Sequence, residues 1–413
     1  MDFDEEALAY HRGSKRAGKI GTEILTRVEG KRDLSLAYSP GVAVPCLEIA
    51  KSPEKIYEYT GKGNSVAVIS NGSAVLGLGN IGSAASKPVM EGKALLFKYF
   101  AGIDAIDVEI DSKDVGEIVR TIELISGTYG GINLEDFKAP ECFEIESRLK
   151  ESLGIPVFHD DQHGTAVVVG AGLLNALKIA GKKIEDVKVV INGAGAAGIA
   201  IGKMLKNLGV GKSNLVVCDS CCVISKNRNG INGYKKEFAV DEDGSLEDVL
   251  KGADVFVGVS KRDLVSPEML LSMNSNPILF ALANPDPEID RDLAIKTRED
   301  VIMATGRSDF PNQVNNVLVF PGVFRGALDS RAKKINEEMK VAAVEALVGL
   351  VENPTRDRFI VGPFERGVVV EVAFGVARAA VKSGVAGDGF DLGGYKGKLE
   401  EEFLKNGNFE RKV

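Results

Sequence analysis

Short runs of β-branched residues punctuate this chain. Between residues 64 and 130 the runs "SVAVIS" and "AIDVEI" alternate with "KALLFKYFAG" and "VGEIVRTIELIS", whose apolar positions recur at helical spacing. Short apolar runs between such segments predict strands, and the segments predict helices, so this part reads as an α/β layer. From 187 to 305 the alternation is cleaner, with strand candidates "VKVVIN", "NLVVCD", "ADVFVGVS", "PILFALAN" and "VIMATG". Near-continuous apolar runs indicate strands covered on both faces, which is the rhythm of a doubly wound parallel sheet. Residues 330–385 read as long helices with a break near "ENPTRDRFIVGP", while residues 1–62 mix helical and irregular text. The expected architecture is α/β, with an N-terminal α/β domain over 1–162. A doubly wound parallel-sheet domain with C-terminal helices follows over 163–413.

The most apolar stretch, "AVVVGAGLLNALKIAG" (166–181), is shorter than a membrane-spanning helix and carries Lys178, so it predicts a buried helix. Composition agrees with a globular protein: of 413 residues, 44% are hydrophobic and 27% charged. A net charge of −8 argues against nucleic acid or an anionic membrane as the main partner. The N-terminus "MDFDEEALAY" is acidic and has no apolar core of a secretory signal. Five cysteines, an odd number in a large chain, fit a reduced, cytoplasmic location. "CDSCC" (218–222) contains a C-x-x-C, but no second pair stands at zinc-ribbon spacing. Cys218 ends the run "NLVVC" and reads as strand core.

"VKVVINGAGAAGIAIGKML" carries Gly193-x-Gly195-x-x-Gly198 between a strand and a helix-forming stretch. In that context Gly193 permits a tight turn, Gly195 lets backbone approach a pyrophosphate, and Gly198 lets helix and strand pack closely. The helix N-terminus, at Ala196 and Ala197, then faces the phosphates. This is the signature of a Rossmann-type NAD(P)-binding domain. Asp219, at the end of the next strand, stands where an acidic residue accepts hydrogen bonds from the adenine ribose diol. It leans the reading toward NAD, although Lys226 and Arg228 follow closely enough to offset its charge. Ser260, closing the strand run "ADVFVGVS", is a further candidate cofactor contact.

Two acidic pairs end apolar segments: Glu135-Asp136 in "YGGINLEDF" and Asp160-Asp161 in "FHDDQHG". Isolated acidic pairs are usually solvated surface. At strand ends of an α/β sheet they fall in the crevice where ligands bind. Several carboxylates together do not all stay ionised without a cation, and oxygen donors suit Mg²⁺ or Mn²⁺. His159 and His163 have a His-x-x-x-His spacing that admits zinc on a helix; the preceding proline and the adjacent glycine count against it.

From about residue 15 to 385 the chain resembles a malic enzyme of the short bacterial and archaeal type. The resemblance rests on "DLSLAYSPGVAVPC" (33–46), "NGSAVLGLGNIG" (71–82), "PVMEGKALLFKYFAGID" (88–104), "GGINLEDF" (130–137), "PVFHDDQHGTA" (156–166), "INGAGAAGIA" (191–200), "ALANPDPEI" (281–289) and "NQVNNVLVFPGVFRGAL" (312–328). It implies NAD(P)-dependent oxidative decarboxylation of L-malate to pyruvate and CO₂, with oxaloacetate decarboxylation beside it. Mn²⁺ or Mg²⁺ is the implied metal, on Glu135, Asp136 and Asp161, and a homodimer is implied. Lys93 is the implied base, Asp160 its partner and Tyr38 the acid, with Asn284 and Asn315 contacting substrate or nicotinamide riboside. Larger relatives carry an arginine for a substrate carboxylate where this chain has Ala74, so the group holding the distal carboxylate is not indicated. The residues by themselves also admit another NAD-linked dehydrogenase of 2-hydroxy or amino acids, or a non-catalytic dinucleotide sensor.

Overall fold

The computed structural model describes residues 2–13, 17–75 and 77–405. Strands β1 (Ser65–Ser70), β2 (Asp104–Glu109), β3 (Gly131–Leu134) and β4 (Val157–His159) form a parallel sheet in the order β2-β1-β3-β4. A second sheet holds β5 (Val189–Asn192), β6 (Leu215–Asp219), β7 (Cys222–Val223), β8 (Val255–Gly258), β9 (Ile278–Ala281) and β10 (Ile302–Thr305). Its order is β10-β9-β8-β5-β6-β7, with only the edge strand β7 antiparallel. Strands β5, β8, β9 and β10 are buried along their whole length, as their largely apolar sequences require of a sheet covered on both faces. The strand order reverses between β5 and β8, which opens a crevice at their carboxyl ends. The sequence pattern located the long runs; β3 and β4 are only four and three residues long, too short to stand out by periodicity.

A single helix, Asp160–Ala180, leaves β4 directly and lies against both the helix Ala196–Leu208 and the helix Glu337–Gly349. It is 21 residues long, not shorter than a spanning helix as its apolar stretch suggested, but 67% of its apolar window is buried within the protein. The expected domain seam at 162/163 falls inside this helix. Side chains from both sheets, such as Val66 and Ile132 on one and Val189 and Phe280 on the other, share one continuous core. The helix Phe320–Asp329 ties the C-terminal region back to the first sheet. Phe320 and Phe324 stack on Phe97 at centroid distances of 4.6 and 5.2 Å, and Arg325 Nη1 donates to Asn64 Oδ1 at 2.7 Å.

The N-terminal helices Phe3–Arg12, Lys31–Ala37 and Ala43–Lys51 contain no buried residue. Leu34, Leu36, Tyr38, Val44 and Leu47 are all exposed.

Candidate active site

Strands β3 and β4 are neighbours in register, with Leu134 opposite His159. Each chain exits its strand into a carboxylate pair, so Glu135, Asp136, Asp160 and Asp161 converge at one end of the first sheet. Asp136 takes φ of +57°, a left-handed turn that aspartate tolerates better than most residues. Its N–H donates to Asp161 Oδ2 at 2.7 Å, which locks the two turns together. Asp160 and Asp161 form the first turn of the Asp160–Ala180 helix, where the helix dipole favours negative charge.

Lys93 reaches this cluster from the helix Ser83–Ala101. Its Nζ lies 2.6 Å from Asp160 Oδ2, 2.7 Å from Glu135 Oε1 and 4.3 Å from the centroid of the Phe320 ring. Only 7% of the residue is exposed. Burial pulls its pKa down, but Asp160 and Glu135 outweigh that pull and hold it above the ordinary lysine value. The side chain therefore stands as an ammonium between two carboxylates.

Glu135, Asp136 and Asp161 each offer an oxygen, and the three oxygens lie within 4.8 Å of one another. Asp136 Oδ2 is buried and has no hydrogen-bond partner among the described residues. Burial, Asp161 and Glu135 together push the Asp136 carboxyl up to about 9. Burial is likewise the main reason that Glu135 and Asp161 lie above their usual range. Crowded, buried acceptors with an oxygen left over are the donor set that a hard divalent cation satisfies. The histidines do not join it: His163 meets Glu146 and Lys340, and both ring nitrogens of His159 are without hydrogen bonds, Nδ1 standing 3.8 Å from Asp161.

The glycine turn lies at the switch point of the second sheet. Gly193 has φ of +123°, and a Cβ there would meet the Val259 carbonyl oxygen at 2.6 Å. A Cβ on Gly198 would lie 1.8 Å from the Gly193 carbonyl oxygen, so the helix approaches the turn this closely only because residue 198 is glycine. A Cβ on Gly195 would meet nothing within 4 Å, which leaves the open face a pyrophosphate needs; Ala196 and Ala197 begin the helix there. Ser260 follows β8 and accepts from Asn192 Nδ2 at 2.9 Å. Asn284 follows β9, and its carbonyl oxygen would lie 4.0 Å from a Cβ on Gly77 in the loop after β1, so the two sheets meet at this edge. Asn315 caps the short 3-10 turn Asn316–Leu318, and Asn316 packs against Gly164 beside Asp160.

Asp219 ends β6 as expected, but it is not free. Its Oδ1 accepts from Cys221 N and Arg228 Nη1, both at 2.9 Å. Its Oδ2 accepts from Arg228 Nη2 at 3.1 Å and Lys235 Nζ at 2.7 Å. Against the effect of burial, these two cations hold its carboxyl down to about 2. Lys235 lies sixteen residues beyond the aspartate on a short separate helix, and no spacing rule pointed to it. Tyr38 is the one expected site residue that stands apart. It is 73% exposed, and its hydroxyl has no hydrogen bond among the described residues. Cys218 is buried strand core, and Cys221 and Cys222 are exposed free thiols.

Comparison with known proteins covers both halves of the chain. The family described as malic enzyme, N-terminal domain matches residues 17–150, and malic enzyme, NAD binding domain, matches residues 162–383. The chain belongs to the malic enzyme family. The NADP-dependent malic enzyme of Halomonas elongata is 55% identical over 92% of this chain and 94% of its own length. The bifunctional malic/malolactic enzyme of Bacillus subtilis is 54% identical over 94% and 95%. The crystal structure of malic enzyme from Pyrococcus horikoshii superposes with a TM-score of 0.92 at 42% identity, covering 99% of both chains. The NAD-dependent malic enzyme structure from Thermotoga maritima gives a TM-score of 0.83 at 48% identity, over 87% of this chain and 96% of that one. The expected fold stands with this membership, and so does the expected activity, NAD(P)-dependent oxidative decarboxylation of malate. The readings as another dehydrogenase or a non-catalytic sensor are set aside.

Proposed function

We propose that Lys93, held between Asp160 and Glu135, is the base at the C2 hydroxyl of L-malate, and that Glu135, Asp136 and Asp161 hold Mn²⁺ or Mg²⁺ beside it. The observation that supports this most is a buried lysine in direct contact with two carboxylates, next to a third that has an unpaired oxygen. When bound, the cation would supply Lewis-acid polarisation and the dinucleotide, held at the glycine turn, would supply the hydride acceptor. The rest falls to side chains. Asp160 aims the lysine, and Phe320 closes the other side of the ammonium against water. With Glu135 turned to a cation, Asp160 would remain the lysine's main partner, and the ammonium would give up its proton to solvent more readily, leaving the neutral amine that serves as base. Lys93 removes the hydroxyl proton, C4 leaves as CO₂, and a proton returns at C3 to give pyruvate. One proton is taken and one delivered, so malate and NAD(P)⁺ become pyruvate, CO₂ and NAD(P)H with none left over. Asn284 and Asn315 line the approach to substrate and nicotinamide riboside.

The acid at C3 is Tyr38, in our reading from a second copy of the chain. Within one copy it stands exposed beside Leu34, Leu36, Val44 and Leu47, and contiguous exposed apolar patches mark association surfaces. A homodimer that buries this face brings Tyr38 to the partner's lysine.

For the cofactor we favour NADP. A carboxylate has about four acceptor positions, and those of Asp219 are filled by Cys221, Arg228 and Lys235. The lean toward NAD required spare acceptor capacity for the ribose diol. Arg228 and Lys235 together outweigh the single negative charge of Asp219, and a 2′-phosphate meets net positive charge there. The test is malate turnover with NADP and NAD in turn, with and without Mn²⁺, measuring CO₂ and reduced nicotinamide together. The reading expects both products in equal amounts, dependence on Mn²⁺, and higher kcat/KM with NADP. Reduced nicotinamide without CO₂ would reject decarboxylation, and equal efficiency with both cofactors would reject the assignment to Arg228 and Lys235.

A further inference from the structure

The two histidines of "FHDDQHG" are not ligands, yet the segment holding them is tied down by one residue outside it. Glu146, on the helix Glu141–Ser152, is only 6% exposed. Its Oε1 accepts from the His159 N–H at 3.2 Å, meets His163 Nε2 at 2.8 Å and pairs with Lys150 Nζ at 2.7 Å. Its Oε2 accepts from Gln162 Nε2 at 3.3 Å and lies 3.0 Å from His163 Nε2. One carboxylate therefore grips residues 159, 162 and 163, and the residues bracketed between them are Asp160 and Asp161.

The grip has a defined polarity. Lys340 Nζ stands 3.2 Å from His163 Nδ1 and has only protons to offer, so Nδ1 accepts and Nε2 carries the hydrogen that points at Glu146. Lys340 is itself buried and ion-paired to Glu337 at 2.6 Å. The chain Glu337–Lys340–His163–Glu146 thus runs from the helix Glu337–Gly349 to the turn that carries the active-site carboxylates. Burial disfavours charge on Glu146, but His163 and Lys150 overcome it and keep its carboxyl well below the usual range. The Asp160 helix has no cap from its own N-cap side chain, since the His159 ring makes no such bond.

We propose that Glu146 is a positioning residue for the malate reaction. By fixing the entry turn of the Asp160 helix it aims Asp160 at Lys93 and Asp161 at Glu135 and Asp136. This rests on the reading of Lys93 and the three carboxylates given above. Glu146 touches none of the reacting groups and acts through residues 159–163.

The test compares Glu146→Gln with Arg148→Met, which removes the exposed Arg148–Glu144 pair on the same helix and leaves the grip in place. Mn²⁺ binding is measured by calorimetry without substrate, NADPH binding by fluorescence, and kcat and KM at saturating Mn²⁺. Partners that orient metal ligands are worth about 10–100-fold in affinity. Glu146→Gln is expected to weaken Mn²⁺ by that factor and to lower kcat at saturating Mn²⁺, with NADPH binding within twofold of the parent. Arg148→Met should change none of these by more than twofold. A second pair covers misfolding of the first variant: His163→Leu should weaken Mn²⁺, and His163→Gln, which restores a donor toward Glu146, should recover most of the loss. Glu146→Gln with parental Mn²⁺ affinity and kcat would overturn the positioning role alone, as would His163→Leu and His163→Gln of equal, parental affinity. A parent protein that binds NADPH but not Mn²⁺ would overturn the metal-site reading and this inference with it.

Discussion

Replacing Lys93 by methionine removes the ammonium that Asp160 and Glu135 share at 2.6 and 2.7 Å, and keeps the volume of the side chain. Two consequences follow with opposite signs. Catalysis loses its base, and a positioned base is worth about 10²–10⁴-fold. Metal binding gains, because Glu135 is released from the lysine. Unit charges 4 Å apart at an effective dielectric near 20 attract by roughly 4 kcal/mol. If a third of that returns to the cation, Mn²⁺ binds about tenfold tighter. Breaking a buried pair by removing one partner costs about 3–5 kcal/mol of stability, so the metal-free variant should melt well below the parent. Mn²⁺ should recover much of that difference. The assays are calorimetric Mn²⁺ titration, pyruvate formation from malate, and thermal melts with and without Mn²⁺. Turnover within tenfold of the parent would refute the base assignment. Loss of Mn²⁺ binding together with the lysine would refute the competition for Glu135.

Three further outcomes are expected. Asp136 has a carboxyl raised to about 9 in the absence of a cation, so the folded state binds its proton more tightly than the unfolded chain does. Its contribution to stability is therefore present below about pH 4 and is lost as pH rises toward 9; melts in EDTA should fall from pH 5.5 to 8.5 while melts in Mn²⁺ stay flatter, and an EDTA series that rises across this window would contradict the cause given. Gly198→Ala places a methyl 1.8 Å from the Gly193 carbonyl oxygen; overpacking of about 1–3 kcal/mol should weaken NADPH binding roughly 10–100-fold, and fluorescence titration showing parental affinity would refute the close-approach argument. Tyr38→Phe and Lys93→Ala, each inactive alone, should regain pyruvate formation when mixed under conditions of subunit exchange, and mixtures as inactive as their components would place the tyrosine elsewhere.

Much of this was legible in the sequence because backbone-determined features leave strong local marks. Unbroken apolar runs at 189–191, 215–218 and 255–257 mark strands covered on two faces. The glycines at 193 and 198 mark backbone that no side chain fits. Contacts between distant residues leave no such mark. Nothing near Lys93 in sequence says that its neighbours are Asp160 and Glu135, at separations of 67 and 42 residues; the resemblance implied only the first. The ion pair of Asp219 with Lys235 is equally silent. Glu146 had one usable signal. It lies on the stripe Cys142, Ile145, Leu149, at helical spacing, where a carboxylate is buried and requires partners. Tyr38 stands in a strong motif, but a motif does not say which copy of the chain its side chain serves, and within its own chain it lies on the surface.

The central claim is that Glu135, Asp136 and Asp161 form one cation site at the ends of β3 and β4. Calorimetric titration of Mn²⁺ into the parent and into Asp161→Asn, with NADPH binding followed in parallel, tests it most directly. The substitution removes one charged oxygen without changing shape. One Mn²⁺ per chain is expected in the parent, with affinity lowered by at least tenfold in Asp161→Asn and NADPH affinity unchanged. Parental Mn²⁺ affinity in Asp161→Asn, or a larger loss in His159→Ala, would contradict it.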